Sequence, residues 1–178
     1  TGEEGRSPKI NVWDSGTMRL ICTLKGFHRV GVAHLTFSPC GKRLLSTGAD
    51  KDHSVAVYDW HHKQLLFAAR ATEAAIYACA FRISQGSSFV TCGCKHISFW
   101  SSIGPGLYEQ KKGLFGRIGR VQTMLCVASL QSSRTVSGTA SGHLYVWDDR
   151  NLKKIVKAHD TAVNALYAVN EGVDGLVS

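Results

Sequence analysis

A five-residue pattern recurs four times along this chain, and it limits the possible folds more than any other feature. Each copy has an apolar residue on either side of a variable one, followed by an aromatic residue and a polar one. The aromatic positions lie 45, 42 and 47 residues apart and are Trp13, Tyr58, Trp100 and Trp147. Because self-similarity at a nearly constant period is the mark of a repeat architecture, the chain is expected to repeat one structural unit.

Between the aromatic residues, apolar and polar side chains alternate in short runs, which is the pattern of β-strands. In the second period these runs cover Val32–Phe37, Arg43–Gly48, Ser54–Tyr58 and Gln64–Ala68. Four short strands in a period of about 45 residues correspond to one blade of a WD-repeat β-propeller. We therefore predict an all-β fold of the WD-repeat β-propeller class.

The same order of strands recurs and divides the chain into blades. Three complete four-stranded blades are predicted at about residues 28–70, 74–112 and 121–157. Half a blade is predicted at each end, over residues 9–24 and 160–178. Because half a blade exposes an apolar face and unpaired strand edges, we expect the chain to be part of a larger propeller. Pairing of the two halves into a four-bladed ring is the alternative.

The first complete blade contains the polar residues of the WD-repeat pattern. A His, a Ser or Thr, an Asp and an aromatic residue stand in order, with Tyr in place of the usual Trp: His28, Ser46, Asp52 and Tyr58. The resemblance implies that these four residues form a buried hydrogen-bond tetrad between a loop and two strands. A fully bonded buried polar chain fixes a turn, so we expect a structural role and not a catalytic one. The other two blades have Cys94 and Ser141 at the Asp position and lack the full set.

The sequence contains none of the common catalytic or cofactor signatures. A Gly-x-Ser-x-Gly elbow, a phosphate-binding P-loop and a His-Glu-x-x-His zinc motif are all absent from it. Cys92 and Cys94, as residues i and i+2 of a strand, would point to one face, but two further metal ligands do not accompany them. We expect no catalytic residue, no cofactor and no metal site, and we interpret the six cysteines as free thiols, mostly buried.

The chain carries an excess of positive charge. It has 21 Lys and Arg residues against 13 Asp and Glu residues, a formal net charge of +8, so its field favours acidic partners. Nucleic acids, anionic membranes and acidic proteins share that property. No apolar run approaches the roughly 18 residues of a membrane span, and the first residues do not resemble a signal segment. We therefore expect a cytoplasmic protein without a membrane partner.

The longest connection between predicted strands, from Ser101 to Gln122, is rich in glycine and in basic residues. It carries Glu109 and four basic residues, which are Lys111, Lys112, Arg117 and Arg120. Such a composition is typical of an exposed loop. Two interpretations stay open: a solvated connector, and a loop that binds an acidic partner through its positive charge.

Three groups of segments go beyond the general repeat and resemble the echinoderm microtubule-associated protein-like family. They are Lys25-Gly-Phe-His-Arg-Val-Gly-Val32 with Asp52-His-Ser and Tyr58-Asp-Trp60, then Gly93-Cys-Lys-His-Ile-Ser-Phe-Trp100, and Gly113-Leu-Phe-Gly with Gln122-Thr-Met-Leu-Cys-Val127 and Ser137-Gly-Thr-Ala-Ser-Gly-His-Leu-Tyr-Val-Trp147. Together they cover most of the chain. The resemblance implies tandem propellers whose surfaces bind tubulin, and a place among the microtubules of the cytoskeleton.

The resemblance implies that the protein functions as a non-catalytic scaffold for protein–protein interaction. The family's amino-terminal coiled coil, basic region and hydrophobic signature motif do not occur in these residues, so attachment to the microtubule lattice is not assigned to them. The alternative is a WD-repeat scaffold associated with nucleic acid or ribonucleoprotein, which the net charge of +8 permits. Aromatic and basic residues interleaved on an exposed face would favour this alternative. Here the aromatic residues belong to the strand repeat and are expected to be buried.

Overall fold

The chain consists of β-strands joined by turns and short connections. The computed structural model describes residues 2–5, 7–83, 87–169 and 175–178, and within these ranges it has sixteen strands and no helix. The prediction of an all-β fold is confirmed. The strands belong to two compact units, Thr1–Glu73 and Ala74–Ser178.

The first unit contains one two-stranded and one four-stranded antiparallel sheet. The smaller sheet consists of β1 (Lys9–Trp13) and β2 (Leu20–Lys25). The larger one consists of β3 (Val32–Phe37), β4 (Arg43–Gly48), β5 (Val55–Asp59) and β6 (Gln64–Ala69). Each strand pairs with the next one along the chain. The four-stranded sheet is thus a meander of three hairpins, which is the architecture of a propeller blade.

The second unit contains two four-stranded sheets and one two-stranded sheet with the same sequential pairing. The first sheet consists of β7 (Ile76–Phe81), β8 (Phe89–Gly93), β9 (His96–Gly104) and β10 (Leu107–Lys112). The second consists of β11 (Met124–Ser129), β12 (Arg134–Thr139), β13 (His143–Asp148) and β14 (Asn151–Lys157). The third consists of β15 (Tyr167–Val169) and β16 (Gly175–Val177).

The connection predicted between residues 101 and 122 contains a strand, which corrects the expectation of one long exposed loop. β9 continues to Gly104, and β10 pairs with it from Leu107 to Lys112. Five of the six residues of β10 are exposed and the sixth is half-buried. An outer strand with both faces near solvent has no need of alternating apolar residues, so the usual sequence signal of a strand is missing from it.

Apolar packing between sheets forms the core of each unit. In the first unit the two sheets meet through Ile10, Val12, Cys22, Leu24, Leu44, Ala56 and Tyr58. In the second unit the two four-stranded sheets meet through Val90, Cys92, Ile97, Phe99, Met124, Val127, Tyr145, Trp147 and Leu152. Inner strands such as β5 and β8 are buried on both faces, whereas the outermost strand β10 is almost wholly exposed.

In both complete blades of the second unit, an aromatic side chain on the third strand donates a hydrogen bond to a hydroxyl group on the second. Trp100 Nε1 donates to Thr91 Oγ1 at 3.1 Å, and Trp147 Nε1 donates to Ser137 Oγ at 2.9 Å. The two indoles are 2% and 0% exposed, so the hydroxyls satisfy donors that have no access to water. The ring supplies apolar packing and the N–H fixes its orientation.

A buried arginine joins the two four-stranded sheets of the second unit. Arg82, at the end of β7, is 1% exposed and donates to Asp149 Oδ1 and to the carbonyl oxygen of Ser133, both at 3.2 Å. Its guanidinium lies 5.7 Å from the centroid of the Phe99 ring. Because a buried charge is costly unless it is paired and hydrogen-bonded, these contacts hold the turns of one sheet against the end of the other.

We predict that Trp147→Phe lowers the free energy of unfolding by about 1–3 kcal/mol. The substitution removes the buried hydrogen bond that the indole N–H donates to Ser137, and it leaves unfilled volume in the core. Urea denaturation of the full chain measures the change. Trp13→Phe is the matched control: Trp13 holds the same place in the repeat but is 44% exposed, so its replacement should change stability by less than about 0.5 kcal/mol. Equal losses in the two variants would contradict the role given to burial.

Candidate functional site

A buried hydrogen-bond network lies at the start of the blade in the first unit. His28 is 3% exposed, and its Nε2 lies 2.7 Å from Ser46 Oγ while its Nδ1 lies 2.7 Å from Ser54 Oγ. Ser54 also donates its hydroxyl proton to Asp50 Oδ2 at 2.6 Å and its backbone N–H to Asp50 Oδ1 at 3.0 Å. The network ties the connection before β3 to β4 and to the β4–β5 turn.

The direction of these hydrogen bonds sets the protonation of His28. Because Ser54 gives its proton to the Asp50 carboxylate, its oxygen accepts from His28 Nδ1, and Nε2 is left to accept from a donor. Burial lowers the pKa of His28, and the nearby Asp50 carboxylate opposes that effect only in part. The imidazole is therefore neutral in the folded chain near pH 7.

Tyr58 joins the same network from β5. Its hydroxyl accepts a hydrogen bond from the backbone N–H of Phe27 at 3.0 Å and interacts with the Ser46 side chain. The ring is 1% exposed, and burial raises the pKa of the phenol. Tyr58 thus takes the place of the usual Trp and, through its longer reach, also binds the backbone of the loop that carries His28.

Asp52 does not belong to this network, and the assignment of that residue is corrected. Its carboxylate lies 3.2 Å from Arg70 Nε at the surface, with the Asp52 side chain 50% exposed. Asp50 occupies the acidic position instead, through its two bonds to Ser54. The structure brings His28 and Ser46 together with Tyr58, and leaves Asp52 outside.

The length of the β4–β5 hairpin explains the difference. Its last pair, Thr47 and Val55, closes over seven residues, whereas the last pair of the β12–β13 hairpin, Gly138 and Leu144, closes over five. Asp50 lies three residues after Thr47, as Ser141 lies three residues after Gly138, whereas counting back six residues from Tyr58 reaches Asp52. The sequence did contain a second Asp in the same turn, Asp50, but the spacing rule favoured Asp52.

The second and third blades hold their turns without an acidic residue at this position. Ser137 Oγ donates to Met124 Sδ at 2.8 Å, so a thioether stands where the first blade has an imidazole. Ser141 donates to Gln122 Oε1 at 2.5 Å. Cys94 lies in the β8–β9 turn, where its backbone N–H donates to Ala75 O at 2.9 Å. The networks thus vary between blades while the strand pairing is kept.

The Ser, His and Asp of the first unit do not have the arrangement of a hydrolytic triad. In such a triad the histidine stands between the nucleophile and the acid, whereas here Ser54 stands between His28 and Asp50. His28 Nδ1 is 3.9 Å from Asp50 Oδ2. Both ring nitrogens are engaged and the ring is buried, so no substrate atom reaches them. The geometry fits the fixing of a turn.

The thiols of the second unit are poorly suited to nucleophilic or metal chemistry. Burial raises the pKa of Cys79 to about 12 and that of Cys92 well above its ordinary value, and it is the thiolate that reacts or binds metal. Cys94 lies outside β8, which ends at Gly93, so it does not share a strand face with Cys92 as expected. Across the described ranges, no group of three or more His, Cys, Asp or Glu side chains converges on a metal position.

The four basic residues singled out in the sequence lie on two consecutive elements. Lys111 and Lys112 are exposed on β10, and Lys111 Nζ lies 2.9 Å from a carboxylate oxygen of Glu109. Arg117 and Arg120 are exposed in the connection between β10 and β11. Only the two arginines are therefore loop residues.

That connection is anchored on the neighbouring sheet and is not a free linker. The backbone N–H of Leu114 donates to Arg150 O at 2.8 Å, and the N–H of Leu152 donates to Leu114 O at 2.9 Å, which forms a parallel bridge to the outer edge of β14. The Phe115 ring packs edge-on against Trp147, with ring centroids 5.2 Å apart. The connection is thus held by both backbone bonds and apolar contact.

The bridge places two further exposed basic residues close to this connection. Lys112 precedes Leu114 by two residues, and Lys153 and Lys154 follow the bridged position on β14, where both are exposed. We call this surface the basic strip: Lys111, Lys112, Arg117, Arg120, Lys153 and Lys154. The two β14 lysines were not singled out from the sequence, although the Lys-Lys pair was a visible signal.

Most of the chain's net charge lies in this region. From residue 107 to residue 157 there are nine Lys and Arg against three Asp and Glu, a net charge of +6 out of +8. Two of the three acids are engaged, Glu109 with Lys111 and Asp149 with the buried Arg82. The basic strip therefore presents positive charge with little acidic charge close by.

Throughout the described residues, no helix has the length and apolarity to span a membrane.

Comparison with known proteins places the chain among microtubule-associated relatives. The family model described as the first β-propeller of echinoderm microtubule-associated protein matches residues 1–177. Echinoderm microtubule-associated protein-like 2 of Mus musculus is 31% identical, over 97% of this chain and 28% of that protein. Echinoderm microtubule-associated protein-like 1 of Homo sapiens is 28% identical, over 97% of this chain and 22% of that protein. The chain thus spans about a quarter of the length of these relatives.

A solved structure supports the fold. The β-propeller domain of Myceliophteria thermophila Cps50 (Swd1) superposes with a TM-score of 0.79 at 17% sequence identity, covering 96% of this chain and 57% of that one. At this identity the likeness concerns the fold alone. The prediction of a β-propeller class is confirmed.

We predict that His28→Ala lowers the free energy of unfolding by about 1–3 kcal/mol and Asp50→Ala by about 1–2 kcal/mol, because each leaves buried or half-buried polar partners without their bonds. Asp52→Ala is the matched control and should cost less than about 0.5 kcal/mol, since its ion pair is exposed. Thermal and urea unfolding of the full chain give the values. A larger loss for Asp52→Ala than for Asp50→Ala would restore the original assignment.

We also predict a pH dependence that originates at His28. Because burial holds the pKa of His28 below its ordinary value of 6.5, the unfolded chain binds the proton first as the pH falls. Its contribution to stability is complete above about pH 6.5 and is lost as the pH falls toward the folded pKa. Between about pH 7.5 and 5.5, the wild-type chain should therefore lose more stability than His28→Gln. Parallel pH profiles of the two proteins would contradict this.

Proposed function

Because the chain belongs to the echinoderm microtubule-associated protein family, we propose that it is a non-catalytic scaffold of the cytoplasmic microtubule cytoskeleton. Relatives about 30% identical over 97% of the chain are named as microtubule-associated proteins. In this proposal the rigid sheets hold a surface in place, and affinity comes from surface contacts without any chemical step.

We propose further that the basic strip binds an acidic protein, with tubulin as the first candidate. The observation that carries the proposal is the concentration of charge, a net +6 between residues 107 and 157. A surface of one sign steers an oppositely charged partner and raises the rate of association. The anchored connection also keeps Arg117 and Arg120 in place, so little ordering is required on binding.

The absence of a catalytic step is supported by the geometry of the reactive groups. His28 is buried with both nitrogens engaged, and desolvation raises the pKa values of the Cys79 and Cys92 thiols. Nucleic acid is the alternative partner that the charge permits. It is less well supported, because the aromatic side chain of the anchored connection, Phe115, packs on Trp147 and is not free to stack on bases.

We predict that reversing Lys111, Lys112, Arg117 and Arg120 to Glu weakens binding to purified tubulin by at least about tenfold at low salt, and reduces its salt dependence. The matched control reverses four exposed basic residues of the first unit: Lys9, Arg19, Lys25 and Lys51. It makes the same change in net charge and should affect affinity far less.

Two results would count against the proposal. Equal affinities of the two variants for tubulin at low salt would show that binding does not depend on the basic strip. A pull-down from cytosol that retains RNA but no tubulin after washing, and loses its binding after nuclease treatment, would favour the nucleic-acid alternative.

A further inference from the structure

A groove of about 470 Å³ lies next to the basic strip in the second unit. It lies among the connection before β11, the β12–β13 hairpin and β14. The residues that line it include Ile118, Arg120, Val121, Gln122, Ser141 and Ile155.

Three β-branched apolar side chains face this groove. Ile118 is 56% exposed and Val121 is 58% exposed, while Ile155 on β14 is half-buried. Apolar side chains exposed one at a time are ordinary on protein surfaces, but here three line a single concavity. Covering them with an apolar side chain would remove that surface from water.

The polar groups of the groove are satisfied by one another, so its shape is set in advance. Tyr145, which is 2% exposed, donates its hydroxyl proton to Arg120 O at 3.2 Å. Gln122 Nε2 donates to the Tyr145 hydroxyl at 2.7 Å, and Gln122 Oε1 accepts from Ser141. A groove built in this way is preformed and requires little rearrangement to accept a ligand.

The rim of the groove is positive. Arg120 is one of the residues that line it, and this exposed residue has no ion pair among the described residues. Lys157, which follows Ile155 by two residues and so lies on the same face of β14, is 2.8 Å from Asp160 in an exposed ion pair. An acidic segment crossing the groove would therefore meet Arg120 unpaired and Lys157 in a pair that exchanges easily.

We propose that this groove takes one apolar side chain of a short acidic segment, while the carboxylates on either side of that side chain contact Arg120 and the basic strip. The inference rests on the proposed function and adds to it the chemistry of the segment that is recognised. An extended acidic peptide fits the combination of apolar walls, preformed floor and positive rim. A stacked nucleic acid fits less well, because the tyrosine of the floor is only 2% exposed.

The experiment compares two labelled peptides by fluorescence polarisation with the full chain. One is a short polyglutamate peptide with a single central leucine, and the other is identical except for serine at the centre. The leucine peptide should bind at least about fivefold more tightly to the wild-type chain. Ile118→Ser with Val121→Ser should abolish that preference, whereas Arg120→Glu should weaken both peptides.

The control variant is Ile103→Ser with Leu107→Ser. These side chains are 63% and 59% exposed at the β9–β10 turn, outside the groove, and their replacement removes a comparable amount of apolar surface. It should leave the preference for leucine unchanged. Since all four positions are exposed, the variants should retain the unfolding temperature of the wild type.

The outcomes separate this inference from the function proposed above. No preference for the leucine peptide, or a preference that survives Ile118→Ser with Val121→Ser, overturns the groove assignment even if tubulin binds the basic strip. A leucine preference that is lost only in that variant supports the assignment, even if tubulin proves not to be the partner.

Discussion

Burial of an aromatic ring with a polar edge on the third strand is the interaction on which both complete blades of the second unit depend. Trp147 shows how it works: its indole N–H is satisfied by Ser137 on the second strand, and its ring packs against Phe99 of the neighbouring sheet. One side chain thus fixes the register of a hairpin and the stacking of two sheets. Trp100 and Thr91 repeat the hydrogen bond in the other complete blade of that unit.

With the strands held in this way, the turns are free to differ between blades. One blade uses the imidazole of His28 and the carboxylate of Asp50, and another uses the thioether of Met124. The requirement common to both is that buried donors and acceptors find partners. Gly48 shows how tightly the first network is packed, because a Cβ at that position would lie 2.6 Å from His28 Nδ1 and 2.7 Å from Ser54 Oγ.

The proposed binding surface consists of a strand and a connection that contribute little to the apolar core. β10 contributes exposed lysines because its faces bury little. The following connection contributes arginines because it is anchored by backbone groups and the Phe115 ring, which leaves the arginine side chains exposed. Charge on such a surface brings an acidic partner close, and the apolar groove beside it would provide selectivity by shape. The two effects act at different distances, because charge acts over several ångströms and apolar contact only on touching.

The β-propeller class could be predicted from the amino-acid sequence, because the aromatic residue that closes the third strand recurs at nearly constant intervals. The sequence also identified His28, Ser46 and Tyr58, which lie at constant places in that repeat. Three features depend on the folded chain: Asp50 and not Asp52 bonds Ser54, β10 is a strand, and the connection after β10 is bridged to β14. Each of these depends on a hairpin length, an exposed edge or a bridge between distant residues, and none of them leaves a local periodic signal in the chain.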